Sequence, residues 1–208
     1  DADMSAIHQQ LATHPRLKAV IKHFPGLRLP GCWDIFEFSI RAILGQHISV
    51  KAATTYATRI AERYGKGCLE NPFSLSKTFP AQADLALADF QDMGLTKARI
   101  ETLKTWLEFY RENNHIFNHY TSIAELEKTL TQLKGIGPWT VNYIAMRGLS
   151  DPDAFPSADL GIIKALTAKG NKPNNKEILT MAEQWRPWRA YAAIYLWQSL
   201  AMQHSEKE

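Results

Sequence analysis

Asp159, the run Leu133-Lys134-Gly135-Ile136-Gly137-Pro138-Trp139-Thr140 and a few aromatic residues are the parts of this 208-residue chain best suited to chemistry. Two glycines around one apolar residue let a backbone turn sharply. They also leave N–H groups uncovered where a following helix begins, and the helix dipole there favours an anion such as phosphate. Asp159 follows Phe155-Pro156-Ser157 and falls in the first turn of a helical pattern, where a carboxylate stays ionised. Trp139 and Tyr143 stand four apart and so share one helix face. Each feature also has a purely structural reading: a packed αα-hairpin, an aspartate that satisfies a helix dipole, and aromatic core.

The elements that must position these residues read as helices. Ser122 is a good N-cap, and Ile123, Leu126, Leu130 and Leu133 fall at helical spacing behind it. Pro138 suits a first helical position, Val141, Ile144 and Ala145 continue the apolar face, and the helix ends near Gly148 before an Asp151-Pro152-Asp153 turn. Upstream, residues 5–23 give two short helices broken at His14-Pro15, and Leu27 to Gly31 is an extended connector. Asp34 with Glu37 starts a helix that stops at Gly45, and Ser49 caps the next one. Between them Gly45-Gln46-His47-Ile48 reads as a short interhelical turn.

Residues 65–84 are polar and turn-rich, with Asn71-Pro72 and Phe79-Pro80. Ala83 to Phe90 and Thr96 to Glu112 are expected to be helical, with Lys97, Arg99 and Lys104 on a solvated face. Ile162 to Leu166, Lys176 to Trp185 and Pro187 to Gln203 complete an all-α pattern without convincing strands.

An apolar content of 45% is enough for a substantial core, as one domain or two small lobes. The net charge of +3 permits a polyanionic partner without requiring one. Cys32 and Cys68 are too few for a disulfide framework, a four-cysteine zinc site or an iron–sulfur cluster, and read as reduced thiols in a cytoplasm. The uncharged run from Ala190 to Met202 falls short of the ~20 residues that span a bilayer, and there is no secretory signal. The chain opens on Asp1 rather than methionine, as a trimmed chain would.

The hairpin, the second helix, the loop and Asp159 together resemble the helix-hairpin-helix DNA glycosylase superfamily, and most of all its 3-methyladenine DNA glycosylase II (AlkA-type) branch. The likeness extends to Leu27-Arg28-Leu29-Pro30-Gly31, Arg41-Ala42-Ile43-Leu44-Gly45-Gln46 and Trp185-x-Pro187-Trp188-Arg189-x-Tyr191-Ala192, covering roughly residues 25–200. It implies an all-α, two-lobed fold, with one lobe over 35–151, the other built from 1–34 plus 152–208, and an active-site cleft between them. Members often carry a further N-terminal β-rich domain, and nothing in this chain is expected to correspond to it.

The resemblance assigns roles residue by residue. Asp159 is the catalytic carboxylate. Trp139, Tyr143, Leu160 and Trp197 border the base pocket. Gly135, Gly137 and Thr140 meet a DNA phosphate, and the carbonyls of Thr131, Leu133 and Ile136 hold a structural monovalent cation, no other cofactor being implied. In the family the loop matching Gly45–Ile48 pushes a side chain into the duplex to fill the gap left by an extruded nucleotide. Gln46 and His47 are the matching positions, with Ile48 as the next candidate, because relatives often place an apolar residue where His47 stands.

The chemistry agrees with these roles. An N-alkylated purine is cationic, and an aromatic face attracts it by ~0.5–2 kcal/mol. Breaking the bond between base and sugar builds positive charge on the deoxyribose, and a carboxylate ~3.5 Å away would contribute roughly 5 kcal/mol at an effective dielectric of 20. Two departures shape the expectation. Trp139 stands where relatives that also cut the strand carry a lysine nucleophile, which implies a monofunctional enzyme; Leu160 replaces a common aromatic residue, which implies a less aromatic pocket. The expected function is excision of alkylated purines such as 3-methyladenine from duplex DNA, leaving an abasic site, by a monomer in the bacterial cytoplasm. The alternative is a non-catalytic helix-hairpin-helix module that binds DNA, for which Asp159 would have no use.

Overall fold

A computed structural model describes residues 2–68, 75–168 and 170–205, the side chains of 203–205 excepted. In chain order the helices are α1 (Met4–Leu11), α2 (Pro15–His23), α3 (Ile35–Leu44), α4 (Val50–Tyr64), α5 (Gln82–Leu85), α6 (Lys97–Asn113), α7 (His115–Asn118) and α8 (Ile123–Leu130). There follow α9 (Pro138–Gly148), α10 (Leu160–Leu166), α11 (Asn175–Ala182), a 3₁₀ turn at Glu183–Trp185 and α12 (Arg189–Ser205). Among the described residues the only β pairing is two isolated antiparallel bridges, Gly67 with Lys77 and Ala168 with Asn171. The Asn71-Pro72 turn lies outside the described residues. The chain forms two compact units, Cys32–Ile144 and Asp1–Gly31 with Ala145–Glu208.

Local chemistry starts these helices where the sequence suggests. Asp34, Ser49, Thr96 and Ser122 each turn a side-chain oxygen back on the N–H three residues ahead, meeting one of the donors a helix start leaves unpaired. Pro15 opens α2, and Pro138 opens α9. In the Cys32–Ile144 unit α3 packs on α4 and α6. Ile40, Ile43, Ile60, Leu103 and Trp106 are fully buried there, each worth about 1.5–3 kcal/mol in apolar burial. The Trp106 indole N–H donates to Ser39 Oγ at 2.8 Å, so this large side chain brings no unpaired polar atom into the core. In the other unit α12 packs on α10 and α2 over Ile7, Leu11, Leu17 and Ile162.

One expected helix is corrected. Ala83 to Phe90 is not continuous, because α5 ends at Leu85 and the chain then turns, with Asp92 (φ 61°) and Gly94 (φ 76°) in the left-handed region. The competing interaction comes from α4. Arg59 donates to the Met93 carbonyl at 2.6 Å, Arg63 to Gln91 at 3.1 Å and Tyr56 to Gly94 at 3.1 Å, while the Tyr64 hydroxyl donates to Asp89. These contacts hold residues 89–94 in a turn against α4 instead of in a continued helix.

The two hairpin glycines differ in kind. Gly135 has φ 87°, and a Cβ there would sit 2.0 Å from Thr102 Oγ1 on α6; at Gly137 a Cβ would meet nothing within 4 Å. Gly135→Ala should therefore lower the unfolding free energy by about 1–3 kcal/mol from its backbone alone, with the clash added, while Gly137→Ala should stay within about 1 kcal/mol of wild type. Urea denaturation of both variants checks this, and equal costs would show that Thr102 does not press on the hairpin.

Candidate active site

Asp159 is the N-cap of α10, one residue earlier than a first-turn position, because its extended backbone (φ −66°, ψ 130°) lets the carboxylate fold back onto the helix start. Oδ1 accepts the Ile162 N–H at 3.0 Å and the Trp197 Nε1–H at 2.8 Å. Two N–H donors fix one carboxylate oxygen in space at the start of the helix.

The neighbours explain how Trp197 reaches this oxygen. A Cβ on Gly161 would lie 2.9 Å from Asp159 Oδ1 and 2.9 Å from Trp197 Cδ1, so the indole occupies the place a side chain would need. A glycine inside a helix costs about 1 kcal/mol relative to alanine, and here it has a steric reason. That cost is also the signal by which sequence reading could have found Gly161. Leu160 stands 67% exposed beside the carboxylate.

The segment leading to Asp159 is tied to α12. Arg189, nearly buried, donates from Nε and Nη2 to the two Asp153 oxygens at 2.8 and 2.9 Å, and Arg186 joins the same carboxylate. The Ala190 N–H donates to the Pro152 carbonyl at 2.9 Å, and Asp151 Oδ1 accepts the N–H groups of Asp153 and Ala154. Sequence reading saw Arg189 only inside a motif and missed Asp153 as its partner, since nothing local pairs residues 36 apart.

In the Cys32–Ile144 unit, Trp139 and Tyr143 stack with ring centroids 5.1 Å apart and planes 15° apart, as their spacing suggests. Phe38 on α3 extends the group, 5.3 Å from Tyr143, a neighbour that no local spacing predicts. Gln46 and His47, paired in the sequence reading, differ in their surroundings. Gln46 Nε2 donates to the Gly135 carbonyl at 2.9 Å and to Thr140 Oγ1 at 2.8 Å, whereas His47 is exposed with φ 57°. Ile48 is half-buried.

Thr140 is 2% exposed with its hydroxyl accepting from Gln46, which leaves its backbone, in the first turn of α9 where N–H groups lack helical partners, as the part suited to an anion. Arg99 is a correction: it is not on a solvated face, for it donates to the Gln46 carbonyl at 2.5 Å. Lys97 and Lys104 are exposed.

Lys134 pairs with Glu101 at 2.9 Å. That hydrogen bond and the attendant charge hold the ammonium above its usual pKa and the carboxyl below its own, which keeps this lysine protonated and a poor nucleophile. The cation ligands suggested by resemblance, the carbonyls of Thr131, Leu133 and Ile136, form an all-oxygen set suited to a hard ion. The Leu133 carbonyl also accepts the Ile136 N–H at 3.0 Å, and its second lone pair fits a cation ligand. Among the described residues no group of three or more His, Cys, Asp or Glu is arranged to hold a metal. Cys32 and Cys68 are both half-buried, and among the described residues no helix is long and apolar enough to cross a membrane.

Gly161→Ala should displace the Trp197 indole and cost about 1–3 kcal/mol of stability, the usual range for overpacking. The indole N–H resonance in a ¹H–¹⁵N spectrum, assigned with Trp197→Phe, should move strongly in Gly161→Ala. An unmoved resonance would mean that the indole does not rest on Asp159 in solution.

Comparison with known proteins bears on this geometry. Residues 1–34 match the family model described as the AlkA N-terminal domain, which corrects the expectation that nothing here corresponds to that domain; these residues fold as α1, α2 and an extended connector. The chain is 38% identical over 96% of its length to a Mycobacterium tuberculosis protein described as a "Probable bifunctional transcriptional activator/DNA repair enzyme AlkA", of which it spans 40%. It is 32% identical to the DNA-3-methyladenine glycosylase of Bacillus subtilis, covering 96% of this chain and 68% of that one. Among solved structures it is similar to the Schizosaccharomyces pombe 3-methyladenine DNA glycosylase in complex with abasic DNA, with a TM-score of 0.73, 25% identity, and coverage of 93% of this chain and 95% of that one. The chain spans less than two thirds of the first of these relatives. Its fold is the all-α helix-hairpin-helix glycosylase fold, and the chain belongs to the AlkA-type 3-methyladenine DNA glycosylases of that superfamily.

Proposed function

We propose that this chain is a monofunctional DNA glycosylase that hydrolyses the N-glycosidic bond of alkylated purines such as 3-methyladenine in duplex DNA and leaves an abasic site. The observation that carries the reading is the fixed carboxylate: Asp159 Oδ1 is held by Ile162 N–H and Trp197 Nε1–H at a helix start. A hairpin that only bound phosphate would not account for it.

As the base departs, the deoxyribose gains positive charge. A carboxylate already oriented stabilises that charge without reorganising, by roughly 5 kcal/mol at ~3.5 Å and an effective dielectric of 20. Water then adds to the sugar, with Asp159 able to orient it or take its proton. The stacked Trp139 and Tyr143 rings, with Phe38 tilted beside Tyr143, offer an electron-rich face for a cationic base, a preference worth ~0.5–2 kcal/mol that selects alkylated over ordinary purines. Trp139 in place of an amine, and Lys134 paired with Glu101, favour attack by water over imine formation.

The hairpin about Gly137 and the first turn of α9 would receive a DNA phosphate through backbone N–H groups. The carbonyls of Thr131, Leu133 and Ile136 would hold a monovalent cation, which supplies positive charge toward that phosphate when bound. The same reading implies a monomer that works on duplex DNA in a bacterial cytoplasm.

Asp159→Asn is the test, because asparagine keeps an oxygen for both N–H donors and removes only the charge. Single-turnover excision from alkylated duplex should fall about a thousandfold or more, with melting temperature and damaged-duplex affinity held or the affinity improved. A variant retaining more than about a tenth of wild-type excision would remove Asp159 from the reaction.

A further inference from the structure

We propose that Gln46 is a brace and not a wedge: it fastens the α3–α4 loop to the hairpin, so that His47 is the side chain held out toward the duplex. This rests on the glycosylase reading above and adds a positioning role to it. Both amide hydrogens of Gln46 have separate acceptors, the Gly135 carbonyl at 2.9 Å and Thr140 Oγ1 at 2.8 Å, across sequence separations of 89 and 94 residues. The Thr140 end of this pair is buried.

The backbone of Gln46 is held as well. Its carbonyl accepts from Arg99 Nη2 at 2.5 Å, and Arg99, half-buried, has its Nε buried without a hydrogen-bond partner, which carries some cost in solvation. Arg99 thus fixes the loop from one side and the Gln46 amide fixes it from the other. For Gln46 to enter a duplex, it would have to abandon a buried hydroxyl and a hairpin carbonyl, each of which would then need a new partner.

His47 has no such tie to the hairpin: its backbone is left-handed, φ 57°, and the residue is exposed where Gln46 is half-buried. The left-handed region is uncommon for residues other than glycine, though histidine is among those enriched there, and the Gln46 contacts supply a reason for the chain to adopt it. The consequence is mechanical. The hairpin that grips a phosphate and the residue that fills the gap in the stack must act in register along one strand, and Gln46 joins the two loops directly.

Two measurements on the full chain test this. Without DNA, hydrogen exchange of the 133–140 segment should speed up at least tenfold in both Gln46→Ala and Gln46→Leu and stay near wild type in His47→Ala, because only the first two remove the brace. With DNA, base extrusion is followed by 2-aminopurine fluorescence beside an alkylated purine. Gln46→Leu should be as impaired as Gln46→Ala, at least tenfold, since leucine can fill a gap but cannot donate two hydrogen bonds. The double variant Gln46→Ala/His47→Ala should be no worse than the poorer single variant.

Unchanged hairpin exchange in Gln46→Ala would overturn the brace. So would normal extrusion by Gln46→Leu, or an additive double variant, each of which would make Gln46 a wedge in its own right. A wild-type chain that neither extrudes nor excises would instead overturn the glycosylase reading, and the exchange measurement would still judge the brace by itself.

Discussion

One carboxylate oxygen accepting two N–H donors is the constraint from which the second unit is organised. Asp159 Oδ1 lies within 3.0 Å of both the Ile162 amide and the Trp197 indole, which can happen only if α10 and α12 approach closely and the residue at 161 has no side chain. The close approach of the two helices is secured further back, where Arg189 and Ala190 at the start of α12 hold Asp153 and Pro152. The segment carrying Asp159 is therefore pinned to one helix at two places. A charged group that must act without reorganising gains from such a frame, because orientation is settled at folding rather than at each reaction cycle.

The first unit is built around a different kind of constraint, close backbone packing. Gly135 presses against Thr102 on α6, and its carbonyl is capped by Gln46. Gly137 is left open, with nothing near the place of an absent Cβ. One glycine is thus spent on packing and the other on access. Their closeness in the sequence, with only Ile136 between them, hides this division of labour.

How much of this was legible in the sequence follows from how local each interaction is. The caps at Asp34, Ser49, Thr96 and Ser122 act over three residues, and the Trp139–Tyr143 stack over four, so spacing alone exposes them. The failed helix at 83–90 shows the limit. Its composition favours helix, but side chains of α4 hold the carbonyls that follow α5, and a local reading has no access to that competition. Arg99 was misread for the same reason: its spacing among Lys97 and Lys104 suits a solvated face, while its partner lies 53 residues away. Phe38 beside Tyr143, Trp197 on Asp159 and Asp153 under Arg189 are all contacts made by tertiary folding. The motifs marked which residues matter, and only the structure shows what each one touches.

The proposed hydrolysis relies on a fixed carboxylate and forms no covalent enzyme–sugar intermediate. The most direct measurement is incubation of the chain with methylated duplex DNA, with sodium borohydride present in one arm, followed by quantification of free base and electrophoresis of the strand before and after alkali. The predicted result is release of 3-methyladenine, a strand that stays intact until alkali is added, and no protein–DNA adduct in the borohydride arm. Strand cleavage without alkali together with a trapped adduct would contradict the account by revealing an amine nucleophile, and absence of any released base would contradict it outright.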